Sequence, residues 1–567
     1  AVGYHALKVN TTGAGHVAIG AYALDAITTG GDNSVAIGYE ALTAHTAAQP
    51  CVAIGRGTLK SNVTGQYNVA VGDRALTDNT ANFNTAVGSF ALYKNTTATH
   101  NVAFGYAALE QNTTGQYNTA VGAAALDLNT TSNNNTAVGY NALTTNTAGN
   151  NTGIGYKALE GNTTGADNTA LGTGASTANT TGSNNTAVGK DALNDNTTGY
   201  NNVAVGYAAM DAMTTGGYST AIGSGALGAY AGSEQTAVGA NALGECTTGY
   251  DNTAVGVAAL KETTTGAHNT AVGDDALKNN TTGNSNTAIG KQALVTSTTS
   301  SYCTAVGKDA LYANTADSCT AVGHDSLTAN TTGTNCTAVG ANTLDANTTG
   351  GHNTAVGMSA MGSNTTGSNN VAVGSYVLDI GTAMNYNVAM GHDTARQITT
   401  GGNNVCLGHA AGHSSSPSGQ ITTSSNNFVL GNNSISNLYC ADTSISSSDA
   451  RDKTDVTDFT HGLSWIKELR PVTYRWDRRS WYTEDSNTKG TPDGSKKRDR
   501  LHIGFLAQEF MEVEKKHGYA SKKDDMLIVN QDEDEADPSY GIKYERLVPV
   551  LVNAIKELEA RLSALEG

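Results

Sequence analysis

The sequence is short of proline, of positive charge and of long apolar runs, and each shortage excludes a class of structure. It has six prolines in 567 residues, and Pro50 is the only one among the first 416. A continuous ladder of backbone hydrogen bonds excludes proline in this way. The formal net charge of −17 argues against nucleic acid as a partner. No stretch of about 18 apolar residues occurs, so no membrane insertion is predicted.

The beginning of the chain carries no recognisable signal peptide. It starts within a repeat unit, at Ala1-Val2-Gly3. We therefore expect the chain to be a fragment of a longer protein, and the missing leader excludes nothing.

A 17-residue unit recurs over roughly the first 410 residues. Its commonest form reads N-T-A-V-G-x-x-A-L-x-x-N-T-T-G-x-x, and the glycine that closes A-V-G recurs 24 times from Gly20 to Gly408, at steps of 16, 17 or 18 residues. A short fixed period is typical of a stacked array, in which each unit buries its apolar face against its neighbours. The fold class predicted for this part is an all-β repeat shaft, a parallel β-roll or solenoid.

Each unit contains one clear strand pattern. Thr or Val stands three residues before the glycine, Ala stands two before it in nearly every unit, and an apolar residue stands one before it, which predicts a short strand. We expect the Thr/Val site to be packed and the apolar site, such as Val255, to be buried. Leu four residues after the glycine, as at Leu143, predicts a second strand or an inner corner. N-T-T-G predicts the turn that lets the chain wind back.

The residue four before the glycine is Asn in 16 of the 24 units. Stacked in register, these side chains would form an amide ladder along the shaft; the alternative is a ligand site made of the same amides. The strand face uses Ala and Val, so one coil has a thin core. A two-sided solenoid or several chains around an axis would both supply more burial, and periodicity alone does not choose between them.

Four cysteines, Cys51, Cys303, Cys319 and Cys336, occupy this same ladder position. The last three fall in consecutive units, where stacked Cβ vectors point the same way and suit a disulfide poorly. We expect free thiols. Metal binding is the weaker alternative, because no His or second Cys lies at zinc spacing in the same coil.

Composition changes after the repeats. All three tryptophans, Trp465, Trp476 and Trp481, and 20 of the 32 Lys and Arg residues lie beyond residue 447. The predicted organisation is a shaft over 1–412, a junction rich in Ser and Asn over 413–447, and a small α+β domain over 448–567.

The chain closes on a predicted helix over 546–566 with three heptads. The apolar a and d positions of these heptads are Val548, Leu551, Ile555, Leu558, Leu562 and Leu565. This pattern predicts either a helix packed on its own domain or a short coiled coil that joins identical chains.

Two further segments carry polar residues that could do chemistry. The first is S-S-S-D-A-R-D-K, Ser446 to Lys453, in which a serine and a lysine five residues later could act as nucleophile and base, although such pairs are common by chance. The second is R-L-H-I-G-F-L-A-Q-E-F, Arg500 to Phe510, an apolar run that carries His502, Gln508 and Glu509.

These segments, followed by Y-E-R-L-V-P-V-L-V-N-A-I-K-E-L, resemble the C-terminal intramolecular chaperone domain of phage endosialidases and tail fibres over roughly Ser446 to Gly567. The resemblance implies a domain that trimerises, guides folding of the upstream fibre and then cuts itself off. It assigns the nucleophile to Ser448 and the base to Lys453, with Ser447 and Asp449 as neighbours of the cleavage site. His502, Gln508 and Glu509 would have supporting roles.

The repeats also resemble the head repeats of trimeric autotransporter adhesins, whose N-S-V-A-I-G-like core stands here at Asn33 to Gly38. Those heads are left-handed parallel β-rolls joined as trimers. This chain departs from them by a unit nearer 17 than 14 residues.

The function predicted from the sequence is a homotrimeric phage tail fibre, an extracellular part of the virion that binds a host glycan or protein receptor. A bacterial cell-surface adhesin or extracellular filament with the same chaperone is the alternative. A glycan-degrading tailspike would need paired carboxylates, and the units offer only scattered acids. An ice-binding solenoid would need a regular Thr face, yet Val replaces Thr in 9 of 24 strands. The only enzymatic activity expected is intramolecular serine autoproteolysis, with no cofactor and no metal ion.

Overall fold

The computed structural model describes residues 1–28, 33–46, 49–230, 232–436, 456–479, 482, 490–531 and 538–566. The chain divides into two compact units. The shaft comprises Ala1–His409 with Thr422–Phe428, and the C-terminal unit comprises Ala410–Ile421 with Val429–Gly567.

The shaft is a parallel β-solenoid in which each coil contributes one three-residue strand. Its strands are β1 Val17–Ile19, β2 Val35–Ile37, β3 Val52–Ile54, β4 Val69–Val71, β5 Thr85–Val87, β6 Val102–Phe104, β7 Thr119–Val121, β8 Thr136–Val138, β9 Thr152–Ile154, β10 Thr169–Leu171, β11 Thr186–Val188, β12 Val203–Val205, β13 Thr220–Ile222, β14 Thr236–Val238, β15 Thr253–Val255, β16 Thr270–Val272, β17 Thr287–Ile289, β18 Thr304–Val306, β19 Thr320–Val322, β20 Thr337–Val339, β21 Thr354–Val356, β22 Val371–Val373, β23 Val388–Met390 and β24 Val405–Leu407. Each strand pairs in parallel with the strand of the next coil, and equivalent residues face each other, as Ala120 faces Ala137. The predicted fold class of the shaft is confirmed.

The inside of a coil is lined by the alanine of the strand and by the Ala-Leu pair that follows. Ala137, Ala142 and Leu143 are fully buried, whereas Thr136 and Val138 are only half-buried. The expectation that the apolar site before the glycine is buried is therefore wrong, and Val255 is 37% exposed. A period of two places alternate residues on opposite faces, and the thin interior accepts the methyl group of alanine rather than the larger neighbours.

The leucine lies at an inner corner, and the coil has no second strand at this point. Leu143 has a φ of 53°, and Asn141 has a φ of 56°. A left-handed backbone is uncommon for residues other than glycine. It persists here because the turn is tied to both neighbouring coils: the Leu143 N–H donates to the Ala158 carbonyl (3.0 Å) and the Asn141 N–H donates to the Ala123 carbonyl (3.1 Å).

The closing glycine of each unit is required by two separate constraints. Gly139 has a φ of 139°, which side chains rarely adopt, and a Cβ atom added there would lie 2.3 Å from the carbonyl oxygen of Gly155 in the next coil. The same contact recurs from coil to coil, so the glycines form a column of close backbone approaches.

The asparagines four residues before the glycine form what we call the first amide column. The predicted ladder is present, but its recurring bonds go to the backbone. Asn101 Oδ1 accepts from the Asn118 N–H (2.9 Å), and Asn101 Nδ2 donates to the Gly115 carbonyl (2.8 Å). Each buried amide thus satisfies the N–H group of the equivalent asparagine in the next coil and a carbonyl group of the turn that precedes it.

The asparagines of N-T-T-G, where the sequence predicts only a turn, form a second amide column. They are fully buried, and their side chains bond directly to each other. Asn112 Nδ2 donates to Asn95 Oδ1 (2.9 Å), and Asn129 Nδ2 donates to Asn112 Oδ1 (3.0 Å). Between Asn196 and Asn314 the described residues show no such bond. Four successive coils there carry Met213, Tyr230, Cys246 and Thr263 at this position.

The cysteines at the ladder position are free, as predicted, and they are completely buried. Cys319 Sγ donates to the Gly333 carbonyl, and Cys336 Sγ donates to the Gly350 carbonyl, both at 3.2 Å. Burial raises the pKa of the Cys303 thiol. These thiols therefore replace the amide of the first column as donors to the turn.

The C-terminal unit is a small α+β domain, which confirms the predicted class. The strand β25 Phe428–Leu430 begins at Phe428, the last residue of the shaft. The elements that follow are α1 Leu463–Glu468, β26 Val472–Tyr474, β27 His502–Gly504, α2 Ala507–Lys516, a 3₁₀ turn Lys523–Asp525, β28 Val529–Gln531, β29 Tyr540–Ile542, a 3₁₀ turn Tyr544–Arg546 and α3 Leu547–Glu566. β26 and β27 pair antiparallel, as do β28 and β29. The core consists of Trp465, Phe510, Val513, Ile528, Val529, Leu547 and Val550. No helix within the described residues is both long and apolar enough for a membrane span.

Candidate functional site

The residues predicted to carry out self-cleavage lie outside the described residues. These are Ser447, Ser448, Asp449 and Lys453. The nucleophile, the base and the bond that is cut therefore stay predictions, and the described part of the site is the surrounding domain.

His502 lies in a cavity of ≈ 230 Å³ within the C-terminal unit. It begins β27, which pairs with β26 so that His502 faces Tyr474, and the two rings stack with centroids 5.6 Å apart. The cavity is lined by Pro417, Asn433, Ile435, Ser436, Trp476, Arg478, Arg498, Arg500 and His502. Asn433, Ile435 and Ser436 form one wall of this cavity, and Ser436 precedes Ser447 by eleven positions in the sequence.

The cavity is strongly basic. The Arg478 guanidinium lies over the Trp476 ring, 4.5 Å from its centroid. Burial lowers the pKa of Arg478, and the nearby charge of Arg498 lowers it further. No carboxylate of the described residues forms an ion pair with Arg478 or Arg500. The arrangement therefore favours a carbonyl oxygen or an anionic group in the cavity, and Arg498 already donates to the Asn433 carbonyl.

The other two supporting candidates, Gln508 and Glu509, lie on the first turn of α2 and do not line this cavity. Gln508 is exposed. Glu509 forms a two-point ion pair with Arg470, in which Arg470 Nε lies 3.2 Å from Glu509 Oε2 and Arg470 Nη2 donates to Oε1. The structure thus does not bring these two residues together with His502 in one cavity, and their supporting role stays a prediction.

Glu514 is a residue that sequence reasoning missed. It is completely buried on α2, where Oε1 accepts from the backbone N–H groups of Ile528 (2.6 Å) and Val529 (3.3 Å). Burial raises the pKa of this carboxyl group. The sequence pattern that indicates its burial is its position four residues after Phe510, which places Glu514 on the apolar face of the helix. Glu514 therefore joins α2 to the start of β28.

The terminal helix α3 has one packed face and one exposed apolar face. Leu547, Val550 and Ala554 are buried against the domain. The exposed apolar face is the set of predicted a and d positions, which are between 41% and 84% exposed: Val548, Leu551, Ile555, Leu558, Leu562 and Leu565. The helix therefore packs on its own domain through one face, and the coiled coil that would join identical chains through the other face stays a prediction.

Comparison with known protein families supports this description of the C-terminal unit. Residues 448–519 match the family model described as chaperone of endosialidase. The matched segment covers α1 to α2 and includes His502 and Glu514. No curated protein and no solved structure matches the chain significantly, and the resemblance to autotransporter heads is not confirmed. A β-solenoid shaft followed by a domain of this type suggests a tail-fibre or tailspike-type protein with a C-terminal chaperone.

Proposed function

We propose that the chain is a homotrimeric receptor-binding fibre of the phage tail-fibre type, whose C-terminal domain drives assembly and then removes itself by cleavage beside Ser448. The shaft supplies a long repetitive surface for a host glycan or protein receptor. Exposed tyrosines such as Tyr106 and Tyr207 lie on that surface and offer an apolar ring with a polar hydroxyl group.

The observation that carries the proposal is the exposed apolar face of α3. Fully burying a Val, Leu or Ile side chain stabilises an assembly by about 1.5–3 kcal/mol, so six such residues at heptad spacing favour association between chains. Val and Ile at a with Leu at d also suit two strands. The proposal of three chains rather than two depends on the resemblance to the endosialidase chaperone.

Self-cleavage follows from the chemistry of a serine and a neutral lysine. The Ser448 hydroxyl group adds to the Ser447 carbonyl carbon, and its proton passes to the Lys453 amine. The Ser448 nitrogen then leaves with a proton, and water hydrolyses the resulting ester. Burial of Lys453 in the assembled domain would favour the neutral amine that this step needs.

The assembly test is the molar mass in solution, measured by light scattering. One full-length chain has a mass of 57.9 kDa, and we expect about three times that value for the uncut Ser448→Ala variant. Ile555→Asp should reduce the mass toward that of one chain, whereas Lys556→Asp on the neighbouring exposed position should not. A monomeric Ser448→Ala chain would refute the assembly, and a dimer would refute the trimer.

The cleavage test is a denaturing gel combined with the mass of the released fragment. The unmodified chain should yield a fragment that begins at Ser448, and both Ser448→Ala and Lys453→Ala should stay full length. Ser446→Ala serves as the matched control and should still be cut. Equal cleavage of all four chains would rule out the pair, and a fragment that begins elsewhere would move the site.

A further inference from the structure

Two histidines occupy the same position in successive coils at the end of the repeat array. His392 follows Gly391, and His409 follows Gly408. In-register stacking of the coils places the two rings parallel, with centroids 5.7 Å apart and an angle of 15° between their planes. Because the two histidines are 17 residues apart in the sequence, a search for short metal-binding motifs does not detect them.

Asp393 completes a cluster with this pair. One ligand atom each from His392, Asp393 and His409 lies within 4.8 Å of the other two. Asp393 Oδ2 is 3.1 Å from His392 Nδ1. The other carboxylate oxygen, Oδ1, is 3.3 Å from Arg396 Nη1, and Arg396 Nε is itself 3.2 Å from Asp379 Oδ2.

This division of the Asp393 carboxylate is typical of a metal ligand whose orientation is fixed by a neighbouring residue. Arg396 holds one oxygen of Asp393 and thereby directs the other toward the imidazoles, as outer partners orient ligands in metalloproteins. The charge of Arg396 is balanced by Asp379 in the preceding coil. The side chain of His392 is 55% exposed, so an ion in solution can reach its ring.

We propose that His392, Asp393 and His409 bind one divalent transition-metal ion that joins the last two coils of the repeat array. Two imidazole nitrogens and one carboxylate oxygen suit Zn²⁺, Ni²⁺ or Cu²⁺ rather than Ca²⁺ or Mg²⁺. Zinc–nitrogen bonds of about 2.0–2.1 Å require the ligand atoms to draw closer than they are now, by rotation of the two exposed histidine side chains. Water completes the coordination.

The consequence of such a site is a cross-link at the end of the shaft. An ion that binds only when both coils are folded stabilises the folded state by mass action. The ion would add a side-chain link between these two coils to the backbone hydrogen bonds that already join them.

The chain contains a natural control in coil β19. His324 and Asp325 repeat the same local pair, with His324 Nδ1 3.1 Å from Asp325 Oδ2. The equivalent position in the next coil is Ala341, so the second histidine is missing there. We therefore expect one ion per chain, and we expect Ala341→His to add a second.

The experiment is a Co²⁺ and Zn²⁺ titration of the tag-free, chelator-treated full chain, followed by cobalt absorption and calorimetry. His409→Gln should abolish the signal, and Arg396→Gln should weaken binding by about 10–100-fold. Circular dichroism checks that each variant is folded. A wild-type chain that binds no Co²⁺, equal binding by His409→Gln, or failure of Ala341→His to add an ion would overturn the proposal.

Discussion

Replacing Asn112 by alanine tests the second amide column directly. Asn112 Nδ2 donates to Asn95 Oδ1 (2.9 Å) and to the Gly115 carbonyl (3.0 Å), and Asn112 Oδ1 accepts from Asn129 Nδ2 (3.0 Å). The side chain is completely buried. Its removal therefore affects three buried partners that water does not reach.

The expected magnitude depends on which partners keep another bond. The Gly115 carbonyl still accepts from Asn101 Nδ2, and Asn129 Nδ2 still donates to the Ser132 carbonyl. Asn95 Oδ1 loses the donor that it had. One orphaned buried acceptor costs about 1–3 kcal/mol, and a lost net hydrogen bond costs about 1 kcal/mol. The free energy of local opening should therefore fall by about 2–4 kcal/mol.

The assay is native-state hydrogen exchange of peptides that span coils β6 to β8, because a repeat array opens locally rather than as a whole. In the regime where exchange reports the opening equilibrium, rates should rise roughly 30- to 800-fold. Asn194→Ala is the matched control, since Asn194 donates only to the neighbouring, exposed Asp195. Equal protection in Asn112→Ala and the control would refute the reasoning.

Three further predictions concern burial, backbone and charge. Ala254→Asp should lower the melting temperature of the shaft sharply, because it buries a carboxylate at a cost of several kcal/mol, whereas exposed Val255→Asp should shift it little; equal shifts would contradict the inward and outward faces. Gly139→Ala should destabilise the shaft by at least about 3 kcal/mol in denaturant unfolding, whereas Gly228→Ala, whose added Cβ has no neighbour closer than 3.4 Å, should be mild. Burial raises the pKa of the Glu514 carboxyl group, so the unfolded state releases this proton more readily, and the stability that the protonated group contributes is lost as the pH rises above the pKa of the unfolded state. The Glu514→Gln variant should therefore have a higher melting temperature than the unmodified chain at pH 7 and an equal one near about pH 4. Parallel profiles of melting temperature against pH would contradict this.

Much of the shaft could be predicted from the sequence, because its period and its strand are local patterns. The alternation in Thr136–Val138 predicted a strand, but alternation does not say which face points inward. Here the available space decides, and only the methyl group of the central alanine fits. Leu143 in a left-handed conformation could not be predicted, since intrinsic preference opposes it and only bonds between coils hold it.

Asn112 and Glu514 show a second limit of sequence reasoning. Asparagine and glycine in one short segment, as in N-T-T-G, are a turn signal, and turns are usually exposed, so burial of Asn112 became visible only once the coils were stacked. Glu514 is a charged residue on a helix that has many, and its burial follows from the approach of β28. The Ser448 and Lys453 pair, in contrast, was assigned through a family resemblance, and the family match over 448–519 supports the domain without testing the pair.

The interruption of the second amide column has a mechanical consequence for a fibre. Side-chain bonds of this column link the coils up to Asn196 and again from Asn314 onward, and the described residues show none between these two positions. The coils between them are held by their backbone ladder and the first column. Under tension or shear, a filament yields where its cross-section carries the fewest parallel bonds. Rupture and proteolytic nicking should therefore start near the middle of the repeat array, and its two flanking segments should survive as intact rods.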